Sequence, residues 1–458
     1  MLRYASALLT LLLAALAAAP PAFAQTRVPP IEYKERTLPN GLKFYSVQDK
    51  SSPTVAIQVW YKVGSKDDPE GRSGFAHLFE HLMFKSTKNM RDEMMDRLTE
   101  DVGGFNNAST WDDFTNYYEV VPSNYLETLL WAEADRMGSL NVNEKNFPSE
   151  RDVVKEEFRS SVLAPPYGRL FYAIEKRSFT AHPYRRPGIG SIEELDAATL
   201  EDVRAFHKTF YRPDNATLVV VGDFDQKQLD AWVDKYFGRV PKPSTPLPRV
   251  NIKEPERAAE KRYTETGPNV PLPAVAITYL APPVSSDDAY ALRVAQSILS
   301  AGESSRLYQS LVYRQQVAQA AWAEANLRED PGLFYFVAIL AGEKKPEEAE
   351  RALLAELKRV QDEPVTKAEL DKAVSQLVAN QVRERETNNG KAEALGRAAV
   401  LIGDARRVNT DIDRLQAVTA ADVQRVMKKY FTDTNRVVIT YQAAPQQQPE
   451  KAGEGGSR

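Results

Sequence analysis

Two histidines stand four residues apart in the run His77-Leu78-Phe79-Glu80-His81. Residues i and i+4 share one face of a helix, so His77 and His81 point the same way and can share one cation. Neutral imidazole is a favoured ligand of zinc. Glu80 falls three residues after the first histidine and one before the second. A carboxylate there stands beside the metal without taking a ligand position, and it can accept a proton from a water that the metal has acidified. The order is the reverse of HExxH. The chain has only four histidines, and two of them lie in this pentapeptide. The competing reading is a pair of surface histidines with a neighbouring salt-bridging glutamate, which must produce the pattern by chance.

Catalytic zinc takes three protein ligands and keeps one position open, so a third ligand must come from elsewhere. Residues 149–162 (SERDVVKEEFRSSV) form an acidic helical run in which Glu150 and Glu157 lie seven apart on one face. A solvated charged face is the ordinary fate of such a run. Spacing alone does not separate Glu157 from Glu156 or Asp152.

The elements that must position these groups are legible as patterns. The histidine run reads as a helix over residues 73–83 with Ser73 as its N-cap. Further helices are expected over 90–101, 123–137, 149–162, 287–299 and 345–361. Strands are expected over 54–63, where small or polar residues alternate with apolar ones, and over 115–121, 274–280 and 333–340. The order lacks the even rhythm of a doubly wound sheet, so an α+β fold is predicted, with sheets and helices in layers.

The chain also repeats itself. Segment 195–221 matches segment 415–441 at a constant offset of 220, pairing Leu195 with Leu415, Thr199 with Thr419, Asp202 with Asp422, Val203 with Val423 and Asn215 with Asn435. In each copy the threonine is an expected N-cap with the aspartate as its capping-box partner. Two homologous domains follow. They are placed at 25–240 and 262–442, joined by the Pro- and charge-rich linker 241–261 and followed by a polar, disordered tail at 443–458.

The N-terminus has Arg3, a charge-free apolar run over residues 5–19, and Ala22-Phe23-Ala24, which together read as a signal peptide cleaved after residue 24. The expected location is periplasmic or otherwise secreted, with no membrane attachment after cleavage. The 458 residues are 43% hydrophobic and 27% charged, with a net charge of −4 and no cysteine. That balance gives no basic face for nucleic acid and leaves no disulfide.

His77-Leu78-Phe79-Glu80-His81, followed at 76 residues by the glutamate of ERDVVKEE, resembles the pitrilysin/insulinase family of inverted zincins. The likeness covers nearly the whole mature chain and points to the short-chain branch, which includes bacterial two-subunit peptidases and the mitochondrial processing peptidase β-subunit. The resemblance implies one Zn2+ per chain, held by His77, His81 and Glu157. It makes Glu80 the general base and Glu150 the carboxylate that supports the ligands. It implies two homologous domains, each a mostly antiparallel sheet packed with helices, forming half of a clam-shell. It also implies a zinc-dependent endopeptidase that cleaves short or unfolded peptides. A second motif, Asn107-Ala108-Ser109-Thr110, is similar to the family's edge strand, on which a substrate peptide adds beside the metal. Asn107 and Ala108 are its expected substrate contacts. His182 is read as structural. Phe75, Phe79, Phe105 and Trp111 are candidates for apolar substrate contacts, with core packing as the alternative use.

One feature departs from the family. The C-terminal half of self-sufficient relatives supplies an Arg and a Tyr that hold substrate. Here the matching stretch offers Tyr313 or Arg314, then Gln319, Ala320 or Ala321, so the pair looks broken. The expected consequence is a heterodimer in which a homologous subunit carries the Arg/Tyr pair, with a homodimer as the alternative. A non-catalytic core or peptide-binding subunit of the same fold is the alternative function. An unrelated binding protein with a structural zinc is disfavoured, because such sites are usually closed and cysteine-containing.

Overall fold

The computed structural model describes residues 28–445. The signal segment 1–24 and all but the first three residues of the 443–458 tail lie outside the described residues. Two sheets organise the chain. The first has the order β1-β2-β6-β3-β5-β4, with β1 Lys34–Thr37, β2 Lys43–Gln48, β3 Thr54–Tyr61, β4 Phe105–Thr110, β5 Thr115–Pro122 and β6 Ala216–Gly222. The second has the order β7-β11-β8-β10-β9, with β7 Lys261–Gly267, β8 Ala274–Leu280, β9 Ala318–Asn326, β10 Leu333–Leu340 and β11 Arg436–Ala443. Among the described strands, only β2 with β6 and β7 with β11 pair in parallel. The arrangement is the α+β one expected, with helices packed on each sheet. No helix of the described residues is long and apolar enough to cross a membrane.

β3 departs from its expected alternation. It is buried at every position from Val55 to Tyr61, because both faces of this central strand are covered. Val55, Ile57, Val59 and Tyr61 face a core shared with Phe75 and Phe79. Ala56 and Trp60 face a second core built with Ala392 and Leu395 of the helix Asn388–Arg397. Gln58 is wholly buried and remains satisfied, since it donates to Asn389 and accepts from Trp60 Nε1 at 2.9 Å.

The internal repeat is realised in detail. Thr199 and Thr419 each cap a helix and receive the reciprocal bond from Asp202 and Asp422. The Asn215 amide donates to Lys62 O and Phe210 O, while the Asn435 amide donates to Leu280 O and Tyr430 O. In both halves an asparagine thus ties the end of the helix to the end of the central strand. Two expectations shift at their boundaries. The helix expected over 90–101 is confined to Met94–Glu100, because Met90 is held in a turn by Thr87 Oγ1 at 2.8 Å and Glu93 adopts φ 63. Of the tail expected from residue 443, the first residues are ordered: Ala443 closes β11 and Ala444 N donates to Gly267 O at 2.9 Å.

The two sheets are clasped together. Arg328, in the β9–β10 turn, is almost fully buried and pairs with Asp112 at 3.0 Å and with Glu175. Lys66 pairs with Asp113 at 2.9 Å and with Glu329 at 2.7 Å. Asp112 and Asp113 sit in the turn that joins β4 to β5, so the second sheet braces the hairpin that carries the edge strand. Residues 241–260 form no helix or strand, but the segment is anchored. Glu254 accepts from the backbone N–H groups of Thr180, Ala181 and His182, and Arg257 donates to Ser178 O, Thr278 O and Asn435 O.

Candidate metal centre

The histidine helix runs Phe75–Leu82. Its Phe75, Leu78, Phe79 and Leu82 are buried in the core, which leaves His77, Glu80 and His81 on the open side. Its N-terminus differs from expectation. The N-cap is Gly74, at φ 88, and Ser73 makes no side-chain cap. Asp68 does that work from upstream, accepting from Gly74 N at 2.7 Å and from Ala76 N at 2.8 Å. A carboxylate at a helix N-terminus satisfies orphan donors and suits the helix dipole. Gly74 is required by its backbone, and a Cβ there would also meet Ile189 O at 2.9 Å.

The acidic helix runs Asn146–Phe158, three residues earlier than expected, and continues as a wider turn over Arg159–Leu163. Glu157 Oε2 lies 3.6 Å from His77 Nε2 and 3.5 Å from His81 Nε2. Among the described residues, His77, His81 and Glu157 are the one group of three such side chains whose donor atoms all fall within 4.8 Å of one another. The rejected neighbours are engaged elsewhere: Glu156 pairs with Arg159 at 3.0 Å, and Asp152 with Lys155 at 3.4 Å. Glu150 is buried behind the histidines, with Oε2 3.8 Å from His81 Nδ1 and Oε1 3.0 Å from Lys85 Nζ.

The electrostatics separate the groups. Burial pulls His77 down to about 4, so it is neutral at physiological pH and its lone pair is free for a cation. His81 is shifted upward instead. Burial opposes its charge, but Glu157, Glu80 and Glu150 together outweigh that effect. Glu157 is lowered, first by its hydrogen bond with His81. Glu80 is raised by burial, partly offset by a hydrogen bond from Thr110. Two imidazoles and a carboxylate are a borderline-soft donor set suited to zinc. Ligands about 2.1 Å from a tetrahedral ion stand about 3.4 Å apart, so the separations of 3.5 and 3.6 Å fit.

β4 carries Asn107 and Ala108 and is the edge of the first sheet, paired on one side only, with β5. Asn107 Oδ1 accepts from Ala108 N at 2.8 Å. The four aromatic candidates divide. Phe75 and Phe79 are core residues, whereas Phe105 and Trp111 are 50% and 53% exposed at the two ends of β4. His182 lies away in the clasp, with its Nδ1 accepting from Tyr184 N at 3.2 Å. In the second half, Tyr313 and Arg314 are exposed at the end of the helical segment Tyr308–Arg314, and Gln319, Ala320 and Ala321 lie on β9.

The description of the insulinase family (peptidase family M16) fits residues 43–189, and that of the peptidase M16 inactive domain fits residues 197–377. Zinc protease PqqE of Helicobacter pylori is 31% identical over 419 residues, which is 91% of this chain and 94% of that protein. An uncharacterized zinc protease of Bacillus subtilis is 25% identical, over 87% of this chain and 96% of its own length. The crystal structure of a protease from Helicobacter pylori has a TM-score of 0.86 at 30% identity, covering 90% of this chain and 100% of that one. The two-sheet fold is therefore a peptidase-like one, shared along almost the full length of these relatives. The chain belongs to the insulinase family, peptidase family M16.

Proposed function

We propose that the chain is a zinc-dependent endopeptidase acting on short or unfolded peptides. The observation that carries this reading is the convergence of His77, His81 and Glu157, with Glu80 beside them. His77, His81 and Glu157 would hold the metal, one ion per chain. When bound, zinc supplies a Lewis acid that polarises a carbonyl and acidifies water. Glu80 is raised by burial and steadied by Thr110, so its carboxylate takes up a proton at Oε and returns it to the leaving amine. Glu150 orients His81 from behind. β4 offers its open edge to an extended peptide beside the histidines, with Asn107 and Ala108 in the strand.

The second half contributes neither Arg nor Tyr at Gln319–Ala321 of β9. The proposal therefore includes a homologous partner subunit that supplies this pair, with a homodimer as the alternative. The pattern of residues 1–24 supports a periplasmic location. The names of the relatives support zinc and peptide hydrolysis.

The test uses the purified chain, with and without a homologous partner, on unfolded peptide substrates. Glu80→Gln keeps one zinc per chain and loses turnover, while His81→Ala loses the zinc. Peptidase activity surviving Glu80→Gln would sink the mechanism. Full activity of the lone chain would sink the partner requirement. A chain that binds no zinc and cleaves nothing with any partner would be a non-catalytic subunit.

A further inference from the structure

The duplication creates a second cleft where the first half keeps its histidines. The offset of 220 that relates the two capping threonines also carries β3 onto β8. It carries the histidine helix onto the helix Asp288–Ser300 and its flank, and the acidic helix onto Lys367–Glu384. At that offset His77 is replaced by Ser297, Glu80 by Ser300, His81 by Ala301 and Glu157 by Leu377. All four replacements line a single cavity of 680 Å³ between those two helices.

The charge of this cleft is inverted. Among the described residues no carboxylate lines it, and two guanidinium groups do, Arg293 and Arg383, among hydroxyl and amide side chains. Arg293 forms no hydrogen bond or ion pair with any described residue. Burial and the nearby guanidinium groups of Arg397 and Arg407 all work against its charge, and Asp411 works for it. Asp411 is already engaged, accepting from the Tyr290 hydroxyl at 2.6 Å and from Arg407 Nε at 2.7 Å. Among the described residues, the Arg383 guanidinium donates to Asn380 alone. A partly buried cation without a partner costs stability, and such a cost is characteristic of a binding site.

We propose that this cleft binds an oxyanion between Arg293 and Arg383, so that duplication and divergence have turned a cation site into an anion site. Carboxylate and phosphate share the required chemistry, a planar or tetrahedral cluster of acceptors facing forked donors. The cavity lies within the size range of small-molecule sites, roughly 300–1,000 Å³, so the ligand carries its anionic group on a larger body. The inference is independent of peptide hydrolysis in the first half.

Calorimetric titration of the intact chain with inorganic phosphate, and with a short peptide bearing a free C-terminal carboxylate, tests it at constant ionic strength. The same peptide as its C-terminal amide is the control. Saturable binding of either anion, weakened about tenfold or more by Arg293→Gln and measurably by the exposed Arg383→Gln, is the expected result. Which anion binds identifies the source. Arg293→Gln should also raise the melting temperature without ligand, since it removes an unpaired charge. No saturable binding to the wild-type chain, or equal binding to both variants, overturns the proposal.

Discussion

Oε2 of Glu157 lies 3.5 Å from Nε2 of His81, across the gap between two helices whose residues are 76 apart in sequence. Glu157→Ala removes the proposed charged ligand and should reduce bound zinc to a small fraction of one per chain, read by metal analysis after dialysis. Glu150→Ala leaves the three ligands in place but frees the His81 ring, so zinc affinity should fall about 10- to 100-fold. Unchanged affinity in Glu150→Ala would remove that residue from the site.

Acid should weaken the fold through His207. Its ring stacks on Phe79 with centroids 5.3 Å apart, its Nε2 has no hydrogen-bond partner among the described residues, and burial pulls it down from 6.5 to about 4. The unfolded chain therefore binds a proton that the folded chain refuses between these values. The stabilising contribution is complete above about 6.5 and is lost as pH falls toward 4, on the order of 3 kcal/mol. Urea denaturation across this window should show a shallower acid slope in His207→Phe than in the wild type. Equal slopes would show that the ring does not titrate differently on folding.

The clasp between the sheets should tolerate little change. Arg328→Ala leaves Asp112 and Glu175 without their cation, at a cost of about 3–5 kcal/mol. The denaturation midpoint should fall accordingly. A shift near zero would mean that water replaces the guanidinium at no cost.

Gly396, on the helix Asn388–Arg397, packs directly against Trp60 of β3. A Cβ there would stand 2.3 Å from Cε2 of Trp60. Gly396→Ala should destabilise by about 1–3 kcal/mol through overpacking, with a change in tryptophan fluorescence as Trp60 moves. A neutral substitution would mean that the two elements separate easily.

What the sequence alone determined was local. His77 and His81 meet because four residues are one helical turn, and that holds in any helix. The capping boxes at Thr199 and Thr419 lie within three residues, and the repeat showed itself as a constant offset. The α+β class followed from short-range patterns of polarity. The tertiary structure decided everything that joins distant segments. Spacing could not tell Glu157 from Glu156 or Asp152; the family resemblance singled it out, and the packing of two helices brings it within 3.6 Å of both histidines. Asp68 could not be found as the helix cap, because the chain between it and Gly74 has to fold back. Ser73 was the nearer candidate and lost. The burial of both faces of β3 depends on strand order, which no single segment encodes, and the edge position of β4 was legible only through the family resemblance. The unpaired charge of Arg293 is likewise a statement about what is absent around it, and only the assembled packing of the second half reveals that absence.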